Sequence, residues 1–269
     1  MIRSLGYKAA TITDHDFIST EQIARARAAA GSLPYIPGIE LSLRHGDGVV
    51  HLLGYFVDPE HPGLQDHLQR VQAMDRAITI RLLAAFQIRG AAFELADLEA
   101  DSLHTFYSMQ LVKRLAKDLY NYDAAELMPA FLSELDRLGL TYAAMAPWTV
   151  KEGIALIHAA GGIAVLAHPG GGEDNVMQRL GFLVHDEAVL ASYRALGLDG
   201  LEVRNPVHSL EEIAFYESYC RRHGLLMTAG SDCHGDDPYL GPALMGHSVD
   251  LIDGLYESML RYVDRDTYR

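Results

Sequence analysis

A short stretch near the end of the chain, Gly230-Ser231-Asp232-Cys233-His234-Gly235, limits what the chain can fold into more than any other. The apolar run Leu225-Leu226-Met227-Thr228-Ala229 leads into it and reads as a buried strand. On an extended backbone, residues i and i+2 point to one side, so Asp232 and His234 aim together at the strand's C-terminal end. A carboxylate and an imidazole meeting there form half of a hydrolytic metal site. A loop with a capping acid and a surface histidine would account for the same residues. Cys233, between the two, is expected to face away as core packing.

The remaining strands repeat the pattern. Tyr7 to Thr13 reads as a strand and runs into Asp14-His15-Asp16. Ser19-Thr20-Glu21 then opens a helix that Gly31 stops. A second strand starts near Tyr35 and leads to Glu40; a third, Val49 to Val57, follows a polar turn and carries His51. Beyond Pro147 come a helix from Val150 to Ala160 and a strand, Ile163 to Ala167, that ends in His168-Pro169-Gly170-Gly171-Gly172. A helix over Asp186 to Leu196 and a strand over Gly200 to Val203 follow, the latter ending in Arg204-Asn205-Pro206. Ser209 and Glu212 make a capping box for the helix Leu210 to His223. Such alternation predicts a parallel α/β barrel or open sheet with polar residues gathered at strand ends. From Pro62 to Ala146 the periodicity is helical instead, over Leu64 to Arg89, Ser108 to Tyr120 and Ala124 to Leu138. That divides the chain into a barrel of residues 1–61 and 147–269 and a mostly helical insertion, 62–146, capping its mouth.

Charge narrows the function. With 36 acids against 22 Lys and Arg, the net charge is −14. Stable nucleic-acid binding, which needs a basic surface, is not expected. An acidic chain can still process a phosphate ester if cations in the site invert the local field. Two cysteines give no disulfide framework and point to the cytoplasm. No apolar run reaches membrane-spanning length and no signal peptide is visible. The residues at the strands are Asp14, His15, Glu40, His51, His168, Asp232 and His234. A mixture of imidazoles and carboxylates in this number suits two or more divalent ions, with Glu40 as the bridging carboxylate.

Ile12-Thr13-Asp14-His15-Asp16, Gly38-Ile39-Glu40, His51-Leu52-Leu53-Gly54-Tyr55, Ala167-His168-Pro169 and the Gly230–Gly235 stretch, in this order, resemble the motifs of the PHP (polymerase and histidinol phosphatase) family. The likeness is greatest to its small phosphoesterases that act on nucleotides. It implies a distorted (β/α)7 barrel with a helical insertion, up to three divalent ions (Mn, Zn, Fe or Mg) and hydrolysis of a phosphate monoester on a small metabolite, expected to be a nucleotide. By resemblance, one ion takes Glu40, His51 and His168, a second shares Glu40 with Asp232, and a third takes His15 and His234. The family's opening strand, which ends in His-X-His and contributes further ligands, has no counterpart in this sequence. Its first strand is therefore expected to be missing, more readily through a late start than through loss, and fewer than three ions are expected.

Divalent ions neutralise phosphate oxygens and make bound water a ready nucleophile, so no covalent intermediate is needed. A protonated imidazole, with His234 the candidate, or an ion-bound water would help the alkoxide leave. Asp14 is cast as an orienting acid beside His15. Arg204 and His104 are candidate phosphate contacts, and the Gly170–Gly172 run offers backbone N–H groups to an oxyanion. Two other readings use the same residues: an amidohydrolase-like enzyme, or a degenerate barrel that binds metal or phosphate without turnover.

Overall fold

The computed structural model describes residues 8–101, 107–121, 123–141, 143, 146–170, 185–232 and 254–260. Among these, six strands form one sheet in the order β1 to β6: β1 (Ala10–Ile12), β2 (Tyr35–His45), β3 (Gly48–Tyr55), β4 (Ile163–Leu166), β5 (Gly200–Arg204) and β6 (Leu226–Ala229). The sheet is mixed and curls into a half-barrel.

That corrects the parallel expectation. The strands β1 and β2, β4 and β5, and β5 and β6 pair in parallel, but β3 runs antiparallel to both its neighbours. The reason is local. Only Gly46 and Asp47 separate the paired residues His45 and Gly48, and Gly46 takes the left-handed φ of 61° that such a tight connection needs. Two residues suffice for a hairpin and are far too few for a parallel crossover.

Helix α1 (Thr20–Ala30) makes the β1–β2 crossover. The Ser19 side chain accepts a hydrogen bond from the Gln22 N–H at its start, and Gly31 ends it with a positive φ. Helices α6 (Val150–Ala159), α7 (Glu187–Ala195) and α8 (Leu210–His223) follow in the second half, and Thr149/Glu152 and Ser209/Glu212 form complete capping boxes for α6 and α8. Between the halves lie α2 (Pro62–Ile88), α3 (Leu95–Asp101), α4 (Tyr107–Asp118) and α5 (Ala124–Arg137), and a short α9 (Leu255–Met259) packs on β6.

The two-residue period of the strands decides which side chains meet. Ile39, Leu41 and Leu43 of β2, with Val50 and Leu52 of β3, join the core beneath α6, α7 and α8. The alternate residues face the concave side, where Leu53, Tyr55, Ile163, Val165 and Leu226 form an apolar floor. Glu40 and His51 share that concave parity. A third apolar core, from Ile78 to Leu140, holds α2 to α5 together. Leu64 and Leu68 of α2 join the core shared by the sheet and α6, with His67 and Val71 buried on the same helix, whereas Leu82, Leu83 and Phe86 belong to the helical core. No helix among the described residues is long and apolar enough to cross a membrane.

Candidate metal centre

The rim of the concave face is built around Glu40. Its backbone N–H donates to the Asp14 carbonyl at 3.1 Å, and its own carbonyl accepts from Asp16 N–H at 2.8 Å. This clip sets His15 beside Glu40 in parallel register. In the β2–β3 hairpin His51 faces Ser42, one pleat above Glu40, so the two side chains are diagonal neighbours on one face. The antiparallel course of β3 thus brings its early residues to the rim where β2 and β4 end. His168 arrives there two residues beyond β4.

The side chains converge closely. His51 Nδ1 lies 2.9 Å and His168 Nε2 3.1 Å from the same oxygen, Glu40 Oε1, and the two ring nitrogens are 3.2 Å apart. His15 Nδ1 stands 3.9 Å from the other oxygen, Oε2, with its ring centroid 4.7 Å from that of His51. His15, Glu40 and His51 each present a ligand atom within 4.8 Å of the others. Ligands about 2.0–2.2 Å from one cation are about 3–3.5 Å from each other, as the Glu40, His51 and His168 atoms are. Three imidazole nitrogens around a buried carboxylate are a donor set for a divalent cation.

Electrostatics point the same way. Burial would raise the Glu40 carboxyl, yet the His15 and His51 imidazoles and hydrogen bonds from His168 and His51 hold it well below the usual range. Burial would lower His168, but its hydrogen bond to Glu40 and the charges of Glu40, Asp232 and Glu202 raise it to about 9. A positive charge is favoured at this spot whether a proton or a metal ion carries it.

Other expected residues are placed less centrally. The Asp14 carboxylate accepts from the Gln22 side chain on α1, while its carbonyl is what reaches Glu40. Asp232, with a positive φ of 48°, lies near enough to His168 to act on its charge. Arg204 holds Glu217 of α8 at 3.0 Å. The Gly170 N–H donates to His208 Nε2 at 3.1 Å, so it is engaged and not free for an oxyanion. Gly171, Gly172, His104, Cys233 and His234 lie outside the described residues.

Three buried polar residues complete the surroundings without having been singled out in the sequence. Glu202 accepts the His168 backbone N–H at 2.9 Å and the Asn205 side-chain amide at 3.0 Å; burial pushes its carboxyl up to about 7. Its signal was an acid inside an otherwise apolar strand. Asp16 is 1 % exposed and accepts the Ser42 N–H at 3.2 Å. His67 is 0 % exposed on α2, with its Nε2 3.4 Å from Asp16. Only its position on the apolar face of α2 marked it.

No protein-family model matches the chain. It is 28% identical over 246 residues to a 3′,5′-nucleoside bisphosphate phosphatase of Chromobacterium violaceum, spanning 89% of this chain and 81% of that protein. A 5′-3′ exoribonuclease of Salmonella typhimurium is 30% identical over 239 residues, or 85% of this chain and 76% of its own. Among solved structures, a Bifidobacterium adolescentis protein provisionally assigned as a metal-dependent phosphoesterase superposes with a TM-score of 0.78 at 25% identity. That likeness covers 98% of this chain and 90% of the other. The superposition shows that the solved structure shares the fold of this chain over nearly its whole length. The chain belongs to the PHP family of phosphoesterases.

Proposed function

We propose that the protein is a metal-dependent phosphoric monoester hydrolase acting on a small phosphorylated substrate, a nucleotide. The observation that supports this most is the meeting of His51 and His168 on one oxygen of Glu40 with His15 facing the other. A carboxylate whose two oxygens face separate imidazoles is suited to bridging two ions. Glu40, His51, His168 and His15 would hold divalent ions, with Asp232, which lies beyond the end of β6, and His234 as further ligands. Such ions supply Lewis acidity and bring water within reach of deprotonation near neutral pH.

The chain's own residues have distinct tasks in this reading. Glu40 gathers the imidazoles and neutralises part of the charge they bring in. Glu202 holds the His168 backbone and thereby aims the ring. The dry apolar floor of Leu53, Tyr55 and Val165 beneath the rim strengthens every charge interaction above it. His234 has a second candidate role that excludes the first: where it does not ligate an ion and is protonated, it would supply the proton that the departing alkoxide needs. Asp14 is a weaker candidate for orienting a ligand, and Arg204 and His104 for holding a phosphate.

The relative named as a nucleoside bisphosphate phosphatase supports a nucleotide substrate. The exoribonuclease relatives support a second reading, in which the phosphate acted on joins the first two nucleotides of an RNA. The net charge of −14 argues against a long RNA footprint and leaves room for recognition of an end. Incubation with Mn²⁺ and either 3′,5′-bisphosphonucleosides or a 5′-phosphorylated oligoribonucleotide distinguishes the two. The expected result is EDTA-sensitive release of inorganic phosphate from the former. Release of 5′-mononucleotides from the latter alone would favour the exonuclease, and no release from either would sink the hydrolase.

A further inference from the structure

We propose that His67, acting through Asp16, is a positioning residue for the candidate metal centre and ties the ligand rim to helix α2; this rests on the metal-dependent reading above. The Asp14–Asp16 segment makes three successive attachments along β2. The Asp14 carbonyl accepts from Glu40, the Asp16 N–H donates to Glu40, and the Asp16 carboxylate accepts from Ser42 N–H. His15 lies between the first two attachments, so its place opposite Glu40 depends on how Asp16 is held. Asp16 itself sits at a φ of 42°, a region that aspartate enters more readily than most residues when its carboxylate is held.

Further support comes from another part of the fold. His67 enters from the first turns of α2, wholly buried, with its Nε2 3.4 Å from Asp16 Oδ1 and its ring 4.6 Å from that of Trp148. Leu64, Leu68 and Val71 surround it on the same helix face, and all three are apolar core. Neither ring nitrogen of His67 has a hydrogen bond among the described residues. A buried, unsatisfied imidazole is unfavourable compared with an apolar ring of the same size. A purely structural position would favour Phe or Leu. His67 thus resembles an outer partner that aims a ligand, one connection further removed than usual: His67 to Asp16, and Asp16 to the His15–Glu40 clip.

Titration of the metal-free protein with Mn²⁺ by calorimetry, alongside thermal melts, tests this in wild type, His67→Phe and His67→Gln. His67→Phe is expected to melt at or above the wild-type temperature while binding the first Mn²⁺ about ten- to a hundredfold more weakly. His67→Gln, which can place an amide donor near the Nε2 position, is expected to recover much of that affinity. Equal Mn²⁺ affinity in His67→Phe and wild type would overturn the proposal. So would equal weakening in both variants, since that reports packing alone. If His67→Phe does not fold, Asp16→Asn read against His67→Gln takes its place, and wild-type affinity in both overturns it too. Wild-type protein that takes up no Mn²⁺ overturns the metal-dependent reading itself, which is a distinguishable result.

Discussion

The rim of the sheet and the core of the helical segment are buried to similar degrees, yet they are made of different material. The core of α2 to α5 is carried by Leu82, Phe86, Leu111, Leu115, Leu127 and Phe131, fully or nearly fully buried, and its buried carboxylate, Glu134, is paired with Arg89 and Arg137. At the rim, Glu40, His51, Asp16, His67 and Glu202 are as deeply buried and are all titratable. Burying charge without return is expensive, so selection for stability alone produces the first kind of interior. The second kind implies that something else is being selected. Burial carries little functional information in a domain; what is buried carries a great deal.

The sharpest way to break that contrast is Glu40→Gln. Removing the carboxylate leaves converging imidazoles uncompensated, so stability of the metal-free protein should fall by about 3–5 kcal/mol. Mn²⁺-dependent phosphate release should drop to background. Denaturant melts and a phosphate assay read the two, and full activity in this variant would end the reading of Glu40 as the hub. Leu82→Ala probes the other region. It should cost about 2–5 kcal/mol by leaving a cavity, while Mn²⁺ affinity measured by calorimetry stays at the wild-type value. A large loss of affinity would show that the two interiors are not separable.

Asp75 sharpens the comparison, because it is a carboxyl between the two regions. From α2 it accepts the Tyr107 N–H at 2.6 Å and the Ser108 N–H at 3.3 Å, capping α4 across the fold. Burial raises its pKa from 3.8 to about 6. The folded state therefore holds a proton that the unfolded chain has lost, and stability must decline as pH rises between about 4 and 6. The full penalty above that window is about 3 kcal/mol. Asp75→Asn keeps an acceptor and cannot ionise. Its melting temperature relative to wild type should increase over that pH range and level off above it; a gap independent of pH would refute the assignment.

A smaller effect is expected from Gly230→Ala. A Cβ there would collide with Glu202 Oε1, and the Glu202 carboxylate cannot swing away without releasing His168 N–H and Asn205. Activity should fall by about tenfold if Glu202 aims His168, and stability by about 1–3 kcal/mol as a buried donor loses its partner. Unchanged kinetics would relegate Glu202 to packing.

Much of this architecture was legible in residue order. Period-2 runs and capping signals placed β2 to β6 and the long helices within a few residues, because those cues are local. The direction of β3 was missed although its cause, a two-residue turn at Gly46-Asp47, is also local; strand–helix alternation elsewhere suggested parallel pairing throughout. Glu40, His51 and His168 could be named from their motifs. That His15 would face the same carboxylate could not, since it follows from the clip between Asp14–Asp16 and Glu40. His67 lies 51 residues along from Asp16 and only folding brings the two together.

Helix α2 has 27 residues, so it extends about 40 Å as one hydrogen-bonded rod. Its first turns are packed under the rim and its last turns are embedded among α4 and α5. A rod clamped at both ends is a poor hinge, because hinges are placed where elements end. The helical segment is therefore built to lean, not to swing: a load applied at its far end is carried along α2 as a small tilt, past the Asp75 carboxyl and on to the imidazole beside Asp16.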